Sequence, residues 1–184
     1  MNIKQAKFVI SIASTQNIPD YGIPEIAVAG KSNVGKSSFI NFIANQNKLA
    51  KTSAEPGRTR LLNYFDFNSG EFLLVDLPGY GFAKVNRAEK EKWGELIETY
   101  LTTSTQLINV LVLVDSRHEP TSDDKMLIDY LYAYHIPFTI IATKSDKLSK
   151  QEQQKSLKML SSCLTVGIDN IIMTSGEGLG SRNP

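Results

Sequence analysis

A short run near the start of the chain combines glycines, a lysine and a serine at a spacing suited to phosphate chemistry. It consists of Gly30, Lys31, Ser32, Asn33, Val34, Gly35, Lys36 and Ser37, and it matches G-x-x-x-x-G-K-[ST]. Glycines let the backbone curl, so that N–H groups cradle a β-phosphate at the positive end of the next helix. Lys36 would then face the β- and γ-phosphates, and Ser37 would give its hydroxyl to Mg²⁺. The alternative is an incidental glycine turn, but an apolar strand before the run and an apolar helix after it favour a nucleoside triphosphate site.

A carboxylate and a glycine follow a second apolar strand. Asp76 ends the run of residues 71–76, and Gly79 completes a D-x-x-G pattern. Asp76 would hold Mg²⁺ through a water, and the N–H of Gly79 would approach the γ-phosphate. Loss of that phosphate would release the loop, which is the physical basis of a switch. Asp76 as a plain helix cap is the alternative, and the phosphate loop argues against it.

The base is predicted from Thr143, Lys144, Ser145 and Asp146, which follow another apolar strand. A carboxylate at Asp146 can accept hydrogen bonds from guanine N1–H and from the 2-amino group, whereas adenine offers neither. Leaving a buried charged acceptor without partners costs on the order of several kcal/mol, so GTP should be preferred over ATP. Lys144 can lay its stem over the base, and Thr143 can bond to the phosphate loop. Taken alone, this short motif could also be a surface helix cap.

A last candidate for base contact follows the final predicted strand. Thr174, Ser175 and Gly176 could donate backbone N–H groups to guanine O6. A plain turn explains so short a motif equally well.

Hydrophobic periodicity predicts an α/β fold with a mostly parallel central sheet. Together with the phosphate-loop motif, this indicates a three-layer fold of the P-loop NTPase, GTPase type. Only residues 68–70 separate two of the strands, which predicts one antiparallel edge hairpin, and the remaining strands should be parallel. The predicted strands are residues 8–13, 25–30, 62–67, 71–76, 107–115, 137–143 and 171–174. The predicted helices are residues 37–45, 88–101, 122–134 and 149–163.

Two helices carry apolar stripes that we expect to pack in the core. The stripes are Trp93, Leu96, Ile97, Tyr100 and Leu101 in one helix, and Met126, Leu127, Tyr130, Leu131 and Tyr134 in the other. Residues 46–61 and 77–87 follow neither period, and irregular segments of that length are usually functional or disordered.

Composition limits the class of protein. A chain of 184 residues with 41% hydrophobic residues suits a single domain over residues 1–184. A net charge of +1 neither requires nor excludes a nucleic-acid partner. One cysteine, Cys163, cannot form an intrachain disulfide, and no apolar run is long enough to span a membrane. We therefore expect a cytoplasmic protein with no membrane association.

Together these residues resemble the EngB family of bacterial ribosome-biogenesis GTP-binding proteins. The similarity runs from about residue 8 to residue 176. Its narrowest motifs are DLPGYGFAKV at residues 76–85 and DSRHEP at residues 115–120. The resemblance implies GTP hydrolysis with Mg²⁺, a monomer, and nucleotide contacts from Gly57, Arg58 and Thr59. Thr59 matches the switch threonine that binds Mg²⁺ and the γ-phosphate, so the implied catalytic set is Lys36, Thr59 and Gly79.

The resemblance also implies partners and a cellular role. The partner would be the ribosome or a large-subunit precursor, through both rRNA and ribosomal proteins. The role would be one needed for normal cell division and septation. Two basic groups could contact rRNA or could simply be solvated: Lys48, Lys51, Arg58 and Arg60, and Lys84, Arg87, Lys90 and Lys92. Residues 177–184 lack the apolar period of the closing helix of the family, which indicates a truncated or frayed, irregular end.

One substitution at the site predicts slow hydrolysis. Tyr80 stands where GTPases of the Ras type carry the glutamine that orients the attacking water. Asn33 could instead recruit K⁺, which would neutralise charge between the phosphates, or a partner could supply a group in trans.

The two histidines are expected to be structural. His118 should lie away from the phosphates in a structural hydrogen bond, and His135 should lie at a helix end. Two other functions remain as rival interpretations: an ATPase or nucleotide kinase, and a binding module that nucleotide only stabilises.

Overall fold

In the part of the chain that the structure describes, the fold consists of a seven-stranded sheet and four α-helices. The structure is a computed structural model that describes residues 2–50, 61–81 and 87–175, with the backbone alone for residues 87–93. The strands are β1 Ala6–Ile12, β2 Glu25–Gly30, β3 Leu62–Phe67, β4 Phe72–Asp76, β5 Leu107–Asp115, β6 Phe138–Thr143 and β7 Ile171–Met173. The helices are α1 Lys36–Ile43, α2 Arg87–Thr103, α3 Ser122–Ala133 and α4 Lys150–Leu164.

The strand order in the sheet is β1-β3-β4-β2-β5-β6-β7. Neighbouring strands in the run β4-β2-β5-β6-β7 pair in parallel, and β3 and β4 form the predicted antiparallel hairpin. The α/β class with a mostly parallel sheet is thus confirmed. One detail differs from the prediction, because β1 also pairs antiparallel to β3 and takes the outer edge. In the chain, β2 and α1 lie between β1 and β3. The right-handed rule applies to connections between parallel neighbouring strands, so it does not determine whether β1 runs parallel or antiparallel to β3.

The helices cover the sheet on both faces. Ile40 and Ala44, at α1, pack in one apolar cluster with Leu113. Helices α2, α3 and α4 contribute to a second cluster on the opposite face, together with Val112 and Val114. Successive residues of β5 thus point to opposite faces, as a strand buried on both sides requires. The three-layer architecture follows from this alternation.

The two predicted apolar stripes have different outcomes. In α2, Leu96, Tyr100 and Leu101 are buried, as predicted, while the side chain of Trp93 lies outside the described part. In α3 the prediction was wrong for Met126 and Tyr134, whose residues are 67% and 58% exposed. The buried face of α3 runs instead through Asp124, Ile128 and Leu131, which are spaced i, i+4 and i+7. Met126 lies about half a turn away from that face.

The sheet topology gathers the predicted motifs at one edge. Strands β4, β2, β5 and β6 are consecutive neighbours and parallel, so their carboxyl ends meet on the same side. In open α/β sheets this crevice is the usual ligand site, and it lies where connections leave in opposite directions. In the described part of the chain, we find no helix with both the length and the apolar character to cross a membrane.

Candidate functional site

The phosphate loop connects β2 to α1. Gly30 must be glycine because a Cβ there would lie 2.9 Å from Val34 Cγ1 and 3.0 Å from the carbonyl oxygen of Leu113. Asn33 and Gly35 both have positive φ, of 66° and 108°, and Gly35 is the residue that precedes α1. The N–H of Val34 donates to the carbonyl of Lys31 at 3.1 Å. The loop therefore has the curled backbone that its glycines predict.

Lys36 and Asp76 face each other across the phosphate loop. Lys36 begins α1, Asp76 ends β4, and Nζ lies 2.8 Å from Oδ1, with each side chain 12% exposed. Both groups predicted to serve the phosphates and Mg²⁺ therefore occupy one largely buried location. A nucleotide that binds there with Mg²⁺ must exchange this ion pair for contacts of its own.

The residues present fit a magnesium site. Ser37, the second residue of α1, and Asp76 offer hydroxyl and carboxylate oxygens, which are the hard donors that Mg²⁺ prefers. Among residues 2–50, 61–81 and 87–175 no cluster of three histidine, cysteine or acidic side chains could hold a metal ion. Such a sparse protein donor set suits a magnesium ion bound mainly through phosphates and water.

The D-x-x-G segment packs directly on the phosphate loop. The N–H of Ser32 donates to the carbonyl of Tyr80 at 2.9 Å, and Ser32 Oγ lies 3.1 Å from the same oxygen. A Cβ on Gly79 would lie 3.1 Å from Ser32 Oγ, and one on Gly81 would lie 2.9 Å from Lys31 Cε. The two glycines thus permit a contact between the predicted phosphate and switch segments.

The side chain of Tyr80 binds to α3. Its hydroxyl donates to Asp124 Oδ1 at 2.7 Å, and Asp124 Oδ2 accepts from the backbone N–H and the hydroxyl of Thr121, both at 2.7 Å. Burial raises the pKa of Tyr80 well above its ordinary value, and the adjacent Asp124 carboxylate raises it further. The phenol is therefore a protonated donor that is committed to α3. No pattern in the sequence indicates this bond.

The loop predicted to recognise guanine, residues 143–146, is hydrogen-bonded to the phosphate loop as predicted. Thr143 Oγ1 lies 2.8 Å from the carbonyl oxygen of Val34, which confirms its hydrogen bond to the phosphate loop. The N–H of Ser145 donates to the carbonyl of Thr174 at 3.1 Å, so the end of β7 lies beside the loop. Asp146 forms an ion pair with Lys147 at 3.0 Å. The structure thus brings the two predicted base-contacting segments together.

Asp115, the last residue of β5, is a site residue that the motif analysis assigned no role. Its Oδ2 lies 2.8 Å from Lys144 Nζ and 2.7 Å from Arg117 Nη2, and its Oδ1 lies 2.9 Å from Arg117 Nε. Burial raises the pKa of Asp115, but hydrogen bonds from Arg117 and Lys144 outweigh it, and the net pKa falls below the ordinary value. The signals in the sequence were its position at a parallel strand end and its place as the first residue of the DSRHEP motif.

A cavity of about 200 Å³ adjoins the phosphate loop. Its lining residues are Lys31, Ser32, Asn33, Val34, Val114, Asp115, His118, Glu119, Pro120, Thr121 and Asp124. His118, which we expected to lie away from the phosphates, lines this cavity beside residues 31–34 of the phosphate loop, whereas Lys36, Ser37 and Asp76 do not line it. His135 does lie at a helix end, directly after the last turn of α3.

Several predicted residues lie outside the described part of the chain. They are Gly57, Arg58, Thr59 and Gly176, together with the basic residues Lys51, Arg60 and Lys84. The side chains of Arg87, Lys90 and Lys92 are also outside it. Their roles stay predictions.

The fold and the site together define a GTPase of the P-loop class. A family model described as "50S ribosome-binding GTPase" matches residues 25–144. The probable GTP-binding protein EngB of Bacillus cereus strain B4264 is 50% identical over 184 residues, which cover 99% of this chain and 92% of that protein. The corresponding Geobacillus thermodenitrificans protein is 48% identical over 178 residues, or 96% and 91% of the two chains. This chain belongs to the EngB family of GTP-binding proteins, whose activity is GTP hydrolysis.

Solved structures agree on the fold. A crystal structure of a probable GTP-binding protein engB superposes with a TM-score of 0.67 at 23% identity, over 83% of this chain and 89% of that one. A variant of Aquifex aeolicus Era bound to GDP·AlF4⁻ gives 0.65 at 20% identity, over 84% and 51%. Arabidopsis thaliana Toc33 in complex with Mg²⁺ and GMPPNP gives 0.57 at 17%, over 87% and 73%. At these identities the likeness supports the fold.

Proposed function

We propose that this chain is a switch whose GTP form presents a surface to a precursor of the large ribosomal subunit. The observation that carries the proposal is the contact between Ser32 in the phosphate loop and Tyr80 in the segment after Asp76. A γ-phosphate arriving beside Ser32 necessarily meets this segment. Occupancy of the phosphate site and the conformation of residues 77–81 are therefore coupled.

In this proposal each residue of the site has a defined role. Backbone N–H groups of residues 30–37 hold the β-phosphate, and Lys36 leaves Asp76 to pair with β and γ oxygens. Ser37 and Asp76 would hold Mg²⁺, with Thr59 in the GTP form. When bound, this ion neutralises charge that develops on the phosphates. Gly79 donates its N–H to the γ-phosphate, and its lack of a side chain permits the approach.

Base selection rests on the loop after β6. Asp146 accepts from N1–H and from the 2-amino group of guanine, and Lys144 covers the base plane. Thr174, Ser175 and Gly176 approach guanine O6 with backbone N–H groups. The bond from Ser145 to Thr174 supports this arrangement, since it brings the end of β7 to the loop.

Intrinsic hydrolysis is slow in this proposal. Tyr80 cannot orient water as glutamine does, and its hydroxyl already donates to Asp124. A second cation, K⁺ at Asn33, is one way to supply the missing stabilisation, and a partner group in trans is the other. Hydrolysis rates measured in KCl and in NaCl at equal ionic strength distinguish them. Equal rates would exclude the K⁺ route.

The ribosomal partner is proposed from the family. The name of the matching family model supports it, and basic residues of the two loops would contact rRNA phosphates in the GTP form. Roles in cell division and septation would be consequences of subunit assembly in the cytoplasm. The protein would act as a monomer.

The test is co-sedimentation with precursors of the large ribosomal subunit. The purified chain is incubated with a non-hydrolysable GTP analogue, with GDP, with an ATP analogue, or without nucleotide. The proposal predicts association with the GTP analogue and little with the others. Equal association in all four conditions would favour a binding module that nucleotide only stabilises. Association that follows the ATP analogue would favour an ATPase.

A further inference from the structure

Asp115 lies at the meeting point of two motifs that it does not belong to. It ends β5, between the phosphate loop after β2 and the base-recognition loop after β6. Its carboxylate contacts two cations, Lys144 at 2.8 Å and Arg117 through a two-point contact. The GTPase roles proposed above use neither Asp115 nor Arg117.

Lys144 is held at both ends. Its backbone has φ 61° and ψ 28°, a left-handed conformation that few residues other than glycine adopt. Its Nζ lies 3.1 Å from the carbonyl oxygen of Asn33 as well as 2.8 Å from Asp115 Oδ2. The aliphatic stem therefore runs between the base loop and the phosphate loop, with its rotamers already restricted. A flexible lysine would have to lose that freedom only when the nucleotide binds.

The contact with Asn33 also bears on the phosphate loop. Asn33 has φ 66°, and its carbonyl points to Lys144. A carbonyl that is held outward cannot turn into the phosphate nest, where it would repel the oxygens. The Lys144 ammonium group thus fixes both the lysine stem that would cover the base and the Asn33 carbonyl of the phosphate loop.

We propose that Asp115 is a positioning residue for guanine nucleotide, acting through Lys144. The carboxylate holds the Lys144 ammonium against the Asn33 carbonyl, so that stem and phosphate loop are arranged before the nucleotide binds. The inference rests on the proposed contact of Lys144 with the base. A carboxylate is needed because Lys144 and Arg117 both approach Oδ2, and two cations that close would repel each other without an anion between them.

The main test is Asp115→Asn, which keeps the shape and removes the charge. Affinity for a fluorescent GDP analogue should fall about tenfold or more, with the change mostly in the dissociation rate. Preference for GDP over ADP should stay, because Asp146 sets it. The matched control is Asp66→Asn on β3, which removes a carboxylate paired with Lys7 at 3.3 Å, remote from the loops. Its affinity should stay within about twofold of the wild type.

A double-mutant cycle separates positioning from a structural role. In a Lys144→Met background, Asp115→Asn should change GDP affinity less than about twofold, because the group it acts through is gone. An equal loss with and without Lys144 would overturn the proposal. So would an affinity of Asp115→Asn within about twofold of the wild type.

Two further measurements separate the positioning role of Asp115 from loss of folding and from failure of the proposed function. If Asp115→Asn unfolds, the Asp115→Asn/Arg117→Gln double variant removes the unpaired surface cation and is measured in the same cycle. Arg117→Gln alone leaves the Asp115–Lys144 pair and should not weaken GDP binding. Absence of guanine binding by the wild type would contradict the proposed function itself, whereas the Asp115 inference fails only on a wild type that binds.

Discussion

The hydroxyl of Tyr80 donates to Asp124 Oδ1 at 2.7 Å and joins the segment after Gly79 to the first turn of α3. The backbone carbonyl of Tyr80 accepts a hydrogen bond from the N–H of Ser32, at 2.9 Å from the Ser32 nitrogen. Tyr80 therefore links the phosphate loop to α3, although the motif pattern makes it a substitute for a catalytic glutamine. Its side chain has a structural partner, and the chemistry that glutamine supplies in other GTPases must come from elsewhere.

Tyr80→Phe tests this assignment. The variant leaves a buried carboxylate with one donor fewer, so the free energy of unfolding should fall by about 1–3 kcal/mol in urea denaturation. Single-turnover GTP hydrolysis should stay within about twofold, because the phenol does not orient water. Tyr132→Phe is the matched control, since it removes a hydroxyl from an exposed tyrosine that donates to the Thr165 carbonyl. A tenfold loss of hydrolysis without loss of stability would show that the phenol takes part in catalysis.

Asp76→Asn should separate nucleotide binding from its dependence on Mg²⁺. In the wild type, Asp76 pairs with Lys36 at 2.8 Å, and this pair competes with both the phosphates and the metal. The variant frees Lys36 for the phosphates but weakens the magnesium site. GDP affinity in EDTA should therefore be equal to or higher than that of the wild type, and the gain on adding Mg²⁺ should shrink about tenfold or more. Titrations of a fluorescent GDP analogue with and without Mg²⁺ measure both.

The expectation for Asp76 has a clear contrary result. If Asp76→Asn lost GDP affinity equally in EDTA and in Mg²⁺, the carboxylate would act on the fold of the loop and not on the metal. Circular dichroism of the variant would then show whether the loop or the whole domain had changed.

Glu25 predicts an unusual pH dependence of stability. Glu25 is 1% exposed and lies at the start of β2. Its carboxyl group accepts hydrogen bonds from two uncharged hydroxyls, those of Tyr100 and Ser104, both at 2.9 Å. Burial raises the pKa of Glu25 above its ordinary value of 4.5, and these two hydrogen bonds offset only part of that rise. The folded chain therefore keeps a proton that the unfolded chain releases. This contribution to stability is complete below pH 4.5 and is lost as pH rises through the folded-state pKa.

The measurement is urea denaturation of the wild type and of Glu25→Gln from about pH 4.5 upward. The difference in unfolding free energy between the two should change in favour of Glu25→Gln as pH rises, because glutamine does not ionise. Parallel curves for both proteins across this range would contradict the assignment. Subtraction removes the effects of other acidic groups, such as Asp115, whose lowered pKa acts in the opposite direction.

Asp146→Asn tests the base contact directly. An asparagine cannot accept from both guanine donors, so affinity for GDP should fall about 100-fold. Its amide can donate to the 2-carbonyl of xanthine, so affinity for XDP should rise over that of the wild type. Competition against a fluorescent nucleotide measures both values. Unchanged GDP affinity would place the base elsewhere on the protein.

The parts of the structure that depend on local pattern could be predicted from the sequence. Strand β2, the curled loop and the start of α1 follow from glycine positions and apolar runs, and the bond from Thr143 to the phosphate loop follows from the motif order. The Tyr80–Asp124 and Asp115–Lys144 contacts were missed, because they join residues that are distant in the chain and depend on how α3 and β6 pack. The core face of α3 was misread for a related reason. A helix with apolar residues on several faces shows its buried side only when its neighbours are known.

The direction of β1 illustrates the same limit. A hairpin is encoded by a short turn, and the turn of residues 68–70 was found. The pairing of β1 with β3 has no turn of its own, since β2 and α1 lie between them in the chain. Pairings of this kind depend on which sheet edge is open, and no local pattern records that.

Selective binding of guanine nucleotide and hydrolysis of GTP are the two properties on which every role proposed above depends. Both are measured by phosphate release from GTP and from ATP by the purified wild-type chain at saturating Mg²⁺, beside equilibrium affinities for GDP and ADP. We expect slow phosphate release from GTP alone and an affinity for GDP about 1,000-fold or more above that for ADP. Affinities for GDP and ADP within about tenfold of each other, or faster phosphate release from ATP, would show that the site does not select guanine.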